Sequence, residues 1–200
     1  MRSPLLPVVL ALSLACPFAA LAEKADRDKP MNVEADALRY DDLRQVSVFT
    51  GKVVLTKGTI VIRGARLEVR QDPDGFQYGI VTADPGKRAF YRQKREGLDE
   101  WIEGESEVID YDGKADRVKF IRQAELRRLK GATTADEMIG SLITYENTTD
   151  VFTVDGGPAS PRPGGRVRAV LGPREAASAP ATNTPPAHLR PAPGISGSPR

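Results

Sequence analysis

A chain of 200 residues with 28% charged side chains and a formal net charge of +2 has room for one domain or two. It is neither an acidic solvating chain nor a strongly basic one. The charge is uneven: residues after Asp155 carry six arginines against Glu175, while residues 23–155 hold 22 basic and 26 acidic side chains. That acid excess excludes nucleic acid as a partner of a compact middle domain, because phosphate neutralisation needs a basic face.

Residues 1–22 have the form of a cleaved secretory signal peptide. Arg2 supplies the positive start, Leu5 to Leu14 the apolar stretch, and Ala20-Leu21-Ala22 the small-x-small cleavage pattern. The apolar stretch is about half the roughly 20 residues a bilayer span needs. Pro4, Pro7 and Pro17 oppose the alternative of a buried helix. Cys16 raises the alternative of a lipidated N-terminus. Ser13-Leu14-Ala15 lacks the aliphatic residue expected three places before such a cysteine, and Pro17 follows directly. Cleavage after Ala22 leaves a mature chain without cysteine, held by its core rather than by disulfides.

From residue 23 to 155 the dominant pattern has a period of two, the signature of half-buried strands. Met31-Asn32-Val33, Leu38-Arg39-Tyr40, Val46-Ser47-Val48, Ile60-Val61-Ile62 and Leu67-Glu68-Val69 alternate, and so do Ile109-Asp110-Tyr111, Val118-Lys119-Phe120, Ile143-Thr144-Tyr145 and Phe152-Thr153-Val154. Turn signals separate them at Asp41-Asp42, Lys57-Gly58, Asp72-Pro73-Asp74-Gly75, Asp112-Gly113, Lys130-Gly131 and Glu146-Asn147. Ile121 to Lys130 also admits helical spacing, but Ala124-Glu125-Leu126 continues the alternation into a Lys-Gly turn, which favours strand. A loose repeat recurs four times. An apolar pair (38/40, 67/69, 109/111, 143/145) leads through a polar turn to a returning pair (46/48, 76/78, 118/120, 152/154). Its irregular spacing argues against a strict solenoid and for stacked antiparallel hairpins. At five to six residues per strand, 133 residues give roughly 14–16 strands. Two alternating sheets either close on a core or splay apart into an apolar groove. Residues 156–200 hold ten of the 16 prolines, few large apolar side chains and the lone His188; this composition predicts a disordered Pro/Ala/Gly/Arg-rich tail.

Chemistry-bearing patterns are sparse. Residues 23–155 contain neither histidine nor cysteine, which removes histidine bases, thiolate nucleophiles and nearly every zinc site. No nucleophile elbow, P-loop or dinucleotide fingerprint occurs. Glu103, Glu105 and Glu107 fall on one strand face and read as a solvated acidic stripe rather than an opposed carboxylate pair. Asp72-Pro73-Asp74-Gly75 lacks the further ligands of a calcium loop and reads as a β-turn. Lys87, Arg88, Arg92, Lys94 and Arg95 around Phe90 and Tyr91 form a basic outer strand face or a contact for lipid phosphates. Trp101 reads as a packing residue. The chain is therefore expected to be no enzyme, with no cofactor and no metal.

Lys29-Pro30-Met31-Asn32-Val33-Glu34-Ala35-Asp36-Ala37-Leu38-Arg39-Tyr40-Asp41, then Phe49-Thr50-Gly51-Lys52-Val53-Val54-Leu55-Thr56-Lys57-Gly58-Thr59-Ile60 and Ala65-Arg66-Leu67-Glu68-Val69, resemble the OstA-like family of lipopolysaccharide export proteins. The likeness spans about residues 29–154. It implies an elongated, slightly twisted two-sheet β-jellyroll in residues 23–155, shaped like an open V. Its interior would take the acyl chains of lipopolysaccharide (lipid A) in the periplasm. It also implies end-to-end self-association, an inner-membrane anchored export partner of the same fold and the periplasmic domain of an outer-membrane translocon. On the family's layout Met31 and Val33 lie at the N-terminal opening, and Phe90 and Tyr111 face the groove. Alternation adds Leu38, Val53, Leu55, Ile60 and Ile62 to that lining. Because side chains change face at every residue, each such assignment depends on register. The alternative is an exported β-sandwich module for another hydrophobic ligand or a polysaccharide.

Overall fold

The computed structural model describes residues 26–173; the signal-peptide reading and residues 174–200 of the tail lie outside the described residues. Twelve strands follow in chain order: β1 (Met31–Glu34), β2 (Ala37–Asp41), β3 (Val46–Lys57), β4 (Ile60–Gln71), β5 (Gln77–Thr82), β6 (Ala89–Lys94), β7 (Glu100–Ser106), β8 (Val108–Asp112), β9 (Arg117–Lys130), β10 (Thr133–Glu146), β11 (Val151–Asp155) and β12 (Arg168–Leu171). The described residues are all-β apart from one 3-10 turn at Pro163–Gly165, and every pairing is antiparallel. Hairpins form at all four places of the loose repeat, as β2–β3, β4–β5, β8–β9 and β10–β11; 118/120 and 152/154 return opposite 109/111 and 143/145, but 47/49 and 79/81, not 46/48 and 76/78, lie opposite 38/40 and 67/69. Residues 121–130 are strand, inside β9.

The strand count is twelve rather than 14–16 because β3 and β4 run 12 residues and β9 and β10 run 14. Each of the four does the work of two ordinary strands. The first half of β3 pairs with β2 and the second half with β1. Strand β4 pairs with β6 and then β5, β9 with β8 and then β7, and β10 with β12 and then β11. The pairings therefore define two layers that share the long strands. Layer A runs β2-β3-β4-β5-β8-β9-β10-β11 and layer B runs β1-β3-β4-β6-β7-β9-β10-β12.

The shared strands bend where they pass between layers. In β3 the register shifts between Thr50 and Val53, where Gly51 and Lys52 have φ of 80° and 45°. In β9 the bend falls at Arg122 and Gln123, with φ of 61° and 51°, and in β10 between Gly140 and Leu142. Bulges of this kind sharpen twist and turn a strand through a corner. The left-handed pair in β9 is held by Glu107 N–H donating to Arg122 O (3.0 Å), Gln123 N–H donating to Ala159 O (2.8 Å) and Arg122 Nε donating to Glu107 (2.6 Å).

Order extends past Asp155. Arg168–Leu171 pairs with Asp136–Ile139 of β10, Gly157 N–H donates to Gly165 O at 2.7 Å, and Gly172 N–H donates to Ala135 O at 2.8 Å. The composition-based boundary at Asp155 therefore falls before β12, Arg168–Leu171. What holds the segment is the unpaired backbone of β10 in layer B, which composition does not register.

Between the layers lies one apolar core: Val53, Leu55, Ile60, Ile62, Leu67, Val81, Tyr91, Ile102, Ile109, Tyr111, Val118, Phe120, Leu126, Ile143 and Tyr145 are all buried. Gly104 of layer B makes room for the Phe120 ring of layer A, which meets Tyr91 edge to face at 5.5 Å.

Candidate functional site

Partners across antiparallel strands share a sheet face, so the pairings trace the inner face directly. In layer A one row runs Leu38–Phe49–Leu67–Val81–Ile109–Phe120–Ile143–Val154. It is apolar at all eight strands. In layer B the facing row runs Val33–Leu55–Ile62–Tyr91–Gly104–Leu126–Met138–Ala169. The two rows form opposite walls of a trough along the length of the molecule. Its centre is sealed: Tyr91 and Phe120 are both 0% exposed. Its ends are not. At the N-terminal end Leu38 is 60% and Tyr40 54% exposed. Met31, Val33, Phe49 and Val69 are partly buried against the core. A cleft of about 190 Å³ opens there between β1 and β2, lined by Met31, Val33, Phe49 and Val69 with a polar rim that includes Gln45 and Gln77. At the C-terminal end Phe152 and Val154 are partly buried, and Leu171, on the same face of β12 as Ala169, is exposed.

Of the nine lining residues expected from sequence, Val53, Leu55, Ile60, Ile62 and Tyr111 lie buried in the core, and Met31 and Val33 flank the N-terminal cleft. Leu38 ends the layer A row at the lip. Phe90 lies elsewhere. On β6 the buried positions are Ala89, Tyr91 and Gln93, so Phe90 points to the outer surface, where Arg63 lies over its ring at 5.4 Å. This is the one-residue inversion that a period of two permits, and Tyr91 holds the inner position. Of the other residues lining the cleft, Val69 was legible as an alternating apolar residue, whereas Phe49 was not, because the alternating pair Val46 and Val48 falls on the outer face of β3.

Polar groups gather on the side where hairpin turns of the two layers face each other. Asp26 accepts from Thr59 N–H (2.6 Å), Thr59 Oγ1 (2.6 Å) and Gln93 Nε2 (3.1 Å); the Tyr91 hydroxyl donates to Gln93 Oε1 at 2.5 Å. Asn147 Nδ2 donates to Asp116 at 3.0 Å. The Tyr145 hydroxyl lies 3.1 Å from Asp150, which pairs with Arg95 at 3.1 Å. Burial pushes the hydroxyls of Tyr91, Tyr111 and Tyr145 well above the ordinary phenol range, with nearby charges adding to the effect. Burial also lowers Lys57, against the pull of Asp28 and Asp26; its Nζ donates to Lys29 O at 2.8 Å. Burial opposes the charge on Arg95, but Asp150 and Glu100 outweigh it and raise its pKa.

The two charged stripes read from sequence meet in part on the outer face of layer B, through Arg88 and Arg92, while Glu107 is paired by Arg122 of β9. Arg88 pairs with Glu105 at 2.5 Å and Glu125 at 2.9 Å, Arg92 with Glu103 at 3.2 Å, and Arg122 with Glu107 at 2.6 Å. Arg92 also covers Trp101 at 4.2 Å. Their proximity follows from the β6–β7–β9 pairing, which neither stripe reveals alone. Asp72–Gly75 is a turn: Asp72 accepts from Phe76 N–H and from the Tyr78 hydroxyl, both at 2.9 Å. Among the described residues no three His, Cys, Asp or Glu side chains converge as a metal-ligand set, and no helix is long and apolar enough to cross a membrane.

A trough walled by two layers that share bent strands is a distinctive architecture. Residues 32–151 match the family model described as LptA/(LptD N-terminal domain) LPS transport protein. The chain belongs to this family. It is 31% identical over 179 residues to the lipopolysaccharide export system protein LptH of Pseudomonas aeruginosa, covering 86% of this chain and 96% of that protein. It is 33% identical over 135 residues to LptA of Escherichia coli K12, covering 66% of this chain and 71% of that protein. The crystal structure of P. aeruginosa LptH, described as the LptA homologous periplasmic component of the lipopolysaccharide transport device, superposes with a TM-score of 0.64 at 26% identity. The match covers 74% of this chain and 99% of that one. The β-jellyroll expected from the resemblance is thus the fold of this chain.

Proposed function

We propose that this protein is a periplasmic lipopolysaccharide carrier, reaching the periplasm by a cleaved signal peptide. In this reading it shields lipid A acyl chains in the trough and joins inner- and outer-membrane export complexes end to end. The observation that carries the reading is the layer A row from Leu38 to Val154: an unbroken apolar path across eight strands that emerges partly exposed at both ends. Acyl chains in water cost about 0.8 kcal/mol per methylene, so a carrier must cover them continuously. An aliphatic wall does so without directional bonds, which lets a chain slide from one position to the next. In this reading the chains enter at the Met31–Val33–Phe49–Val69 cleft and spread the walls inward, replacing layer-to-layer contacts with lipid contacts. No step needs covalent chemistry.

End-to-end assembly draws on the terminal strands. Among the described residues β1 and β2 each pair only with β3, and β11 and β12 each pair only with β10. Each terminal strand therefore offers a free edge for strand addition. Further copies, the inner-membrane anchored partner of the same fold and the translocon's periplasmic domain would each add there.

Photoreactive residues at Val33, Phe49 and Phe90 test the lining. Lipopolysaccharide should crosslink at 33 and 49 and not at 90. Capture at 90 equal to that at 49 would reject the trough as the lipid path.

A further inference from the structure

We propose that the side of the trough opposite the shared strands is closed by a releasable polar latch, and that opening this latch admits the lipid sideways. The inference rests on the trough reading above. On one side the layers are continuous through β3, β4, β9 and β10, whose backbones pass from one to the other. On the other side, among the described residues, no strand crosses, and two sets of polar ties span the gap.

The first tie is Arg95, in the turn after β6 of layer B. Its guanidinium grips Asp150, in the β10–β11 turn of layer A, through Nη2 at 3.1 Å and Nε at 3.3 Å. Glu100 steadies the guanidinium from layer B, and Tyr145 steadies the carboxylate from layer A at 3.1 Å. The second tie is the segment leading into β1. Asp26 is fixed to Thr59 and Gln93 of layer B. The next residue reaches layer A: Arg27 lies over Phe76 at 5.4 Å and donates to Lys114 O at 3.4 Å. Behind these ties sit the buried rings of Tyr91, Tyr111 and Tyr145.

The two kinds of interlayer contact respond differently to a lipid. Apolar contacts such as Phe120 against Tyr91 can be replaced by acyl chains, like for like. The polar ties have no such replacement in a hydrocarbon tail and must break before the layers part on this side. Among the described residues the ties are few. The Asp150 side chain is 49% exposed and that of Arg95 11%, so the first tie meets solvent on one side, while Asp26 of the second is buried. The ties thus set the barrier to sideways opening, while the shared strands act as the spine.

A single cysteine reports on opening without any lipid. Val118 is 2% exposed between Tyr111 and Tyr145 on the inner face of layer A, and Cys16 is the sequence's only cysteine. In a chain beginning at residue 23 and carrying Val118→Cys, Arg95→Glu should raise the maleimide labelling rate several-fold. The charge swap Arg95→Asp with Asp150→Arg should return it toward the parent rate. An unchanged rate in Arg95→Glu would overturn the latch. So would a raised rate that the swap fails to lower, since that signals general loosening. In a second chain, cysteines at 95 and 150 joined by a reductively cleavable bismaleimide should block uptake of lipopolysaccharide from micelles until the link is cut. Undiminished uptake by the linked protein would overturn sideways admission and leave the carrier reading standing. If even the unmodified chain takes up no lipopolysaccharide, the carrier reading fails, while the labelling rates still decide the latch.

Discussion

Replacing Gly104 by alanine tests whether the two layers really meet at the centre. A methyl group built on Gly104 overlaps Phe120 Cε1 and lies 2.5 Å from Cζ and 2.8 Å from Cδ1, where carbon atoms sit comfortably at about 3.5–4.0 Å. The ring must therefore move by roughly 1 Å, into a space closed by Tyr91. Overfilling a packed core costs about 1–3 kcal/mol. The lost flexibility of the unfolded chain returns about 0.4–1 kcal/mol. The net loss is then about 1–2 kcal/mol, or about 2–8 °C in Tm for a chain of this size. The assay is thermal and urea unfolding of Gly104→Ala, Phe120→Leu and the double variant. The smaller leucine leaves room for the methyl, so Gly104→Ala should cost far less in the Phe120→Leu background than alone. Equal costs in both backgrounds would show that Gly104 does not face Phe120, and the assignment of opposing walls would fall.

Three further outcomes are expected. A stop codon after Asp155 should lower Tm and produce concentration-dependent self-association in gel filtration, because it strips β12 from Asp136–Ile139 of β10 and leaves that backbone unpaired. Stability should fall as pH rises above about 10. The unfolded chain then releases phenolic protons that folded Tyr91, Tyr111 and Tyr145 retain, at up to about 1.4 kcal/mol per pH unit for each. Lys57, lowered by burial, acts in the opposite direction. Replacing Tyr145 by phenylalanine should flatten the alkaline loss measured by urea unfolding. Phe90→Asp should leave the fold and lipopolysaccharide capture intact, whereas Phe49→Asp, on the inner row beside Leu67, should impair capture while circular dichroism still shows β structure.

The hairpins were legible in the sequence because each is local: Ile109-x-Tyr111 and Val118-x-Phe120 lie on either side of an Asp-Gly turn, and they pair as Ile109↔Phe120 and Tyr111↔Val118. The bends were not legible. Arg122 and Gln123 take left-handed backbone that neither residue type signals, so the alternation through β9 gave no sign of its corner. Phe90 was placed inward by the family's layout, and alternation could not correct it, because Phe90 and Tyr91 are consecutive aromatics and either one satisfies the pattern. Only the pairing Ile62↔Tyr91 decides which faces inward. The ordered segment 156–173 was missed for a different reason. Its partners are backbone groups of β10 and a corner of β9, and backbone hydrogen bonding leaves no mark on side-chain composition. The salt-bridge lattice over layer B has the same origin, since residues 88, 105 and 125 meet only after three strands have paired.

The order in which strands pair has a consequence for how the chain acquires its shape. Apart from the β5–β8 pairing, each strand pairs with its sequence neighbour or next but one, and among the described residues no strand of the first third pairs with one of the last. Pairing between near neighbours lets the sheets grow from the N-terminus as successive segments become available. The same linear layout means that cooperativity decays along the stack, as it does in arrays of repeats. The first and last strands, each gripped on one side only, should therefore exchange their amide protons earliest.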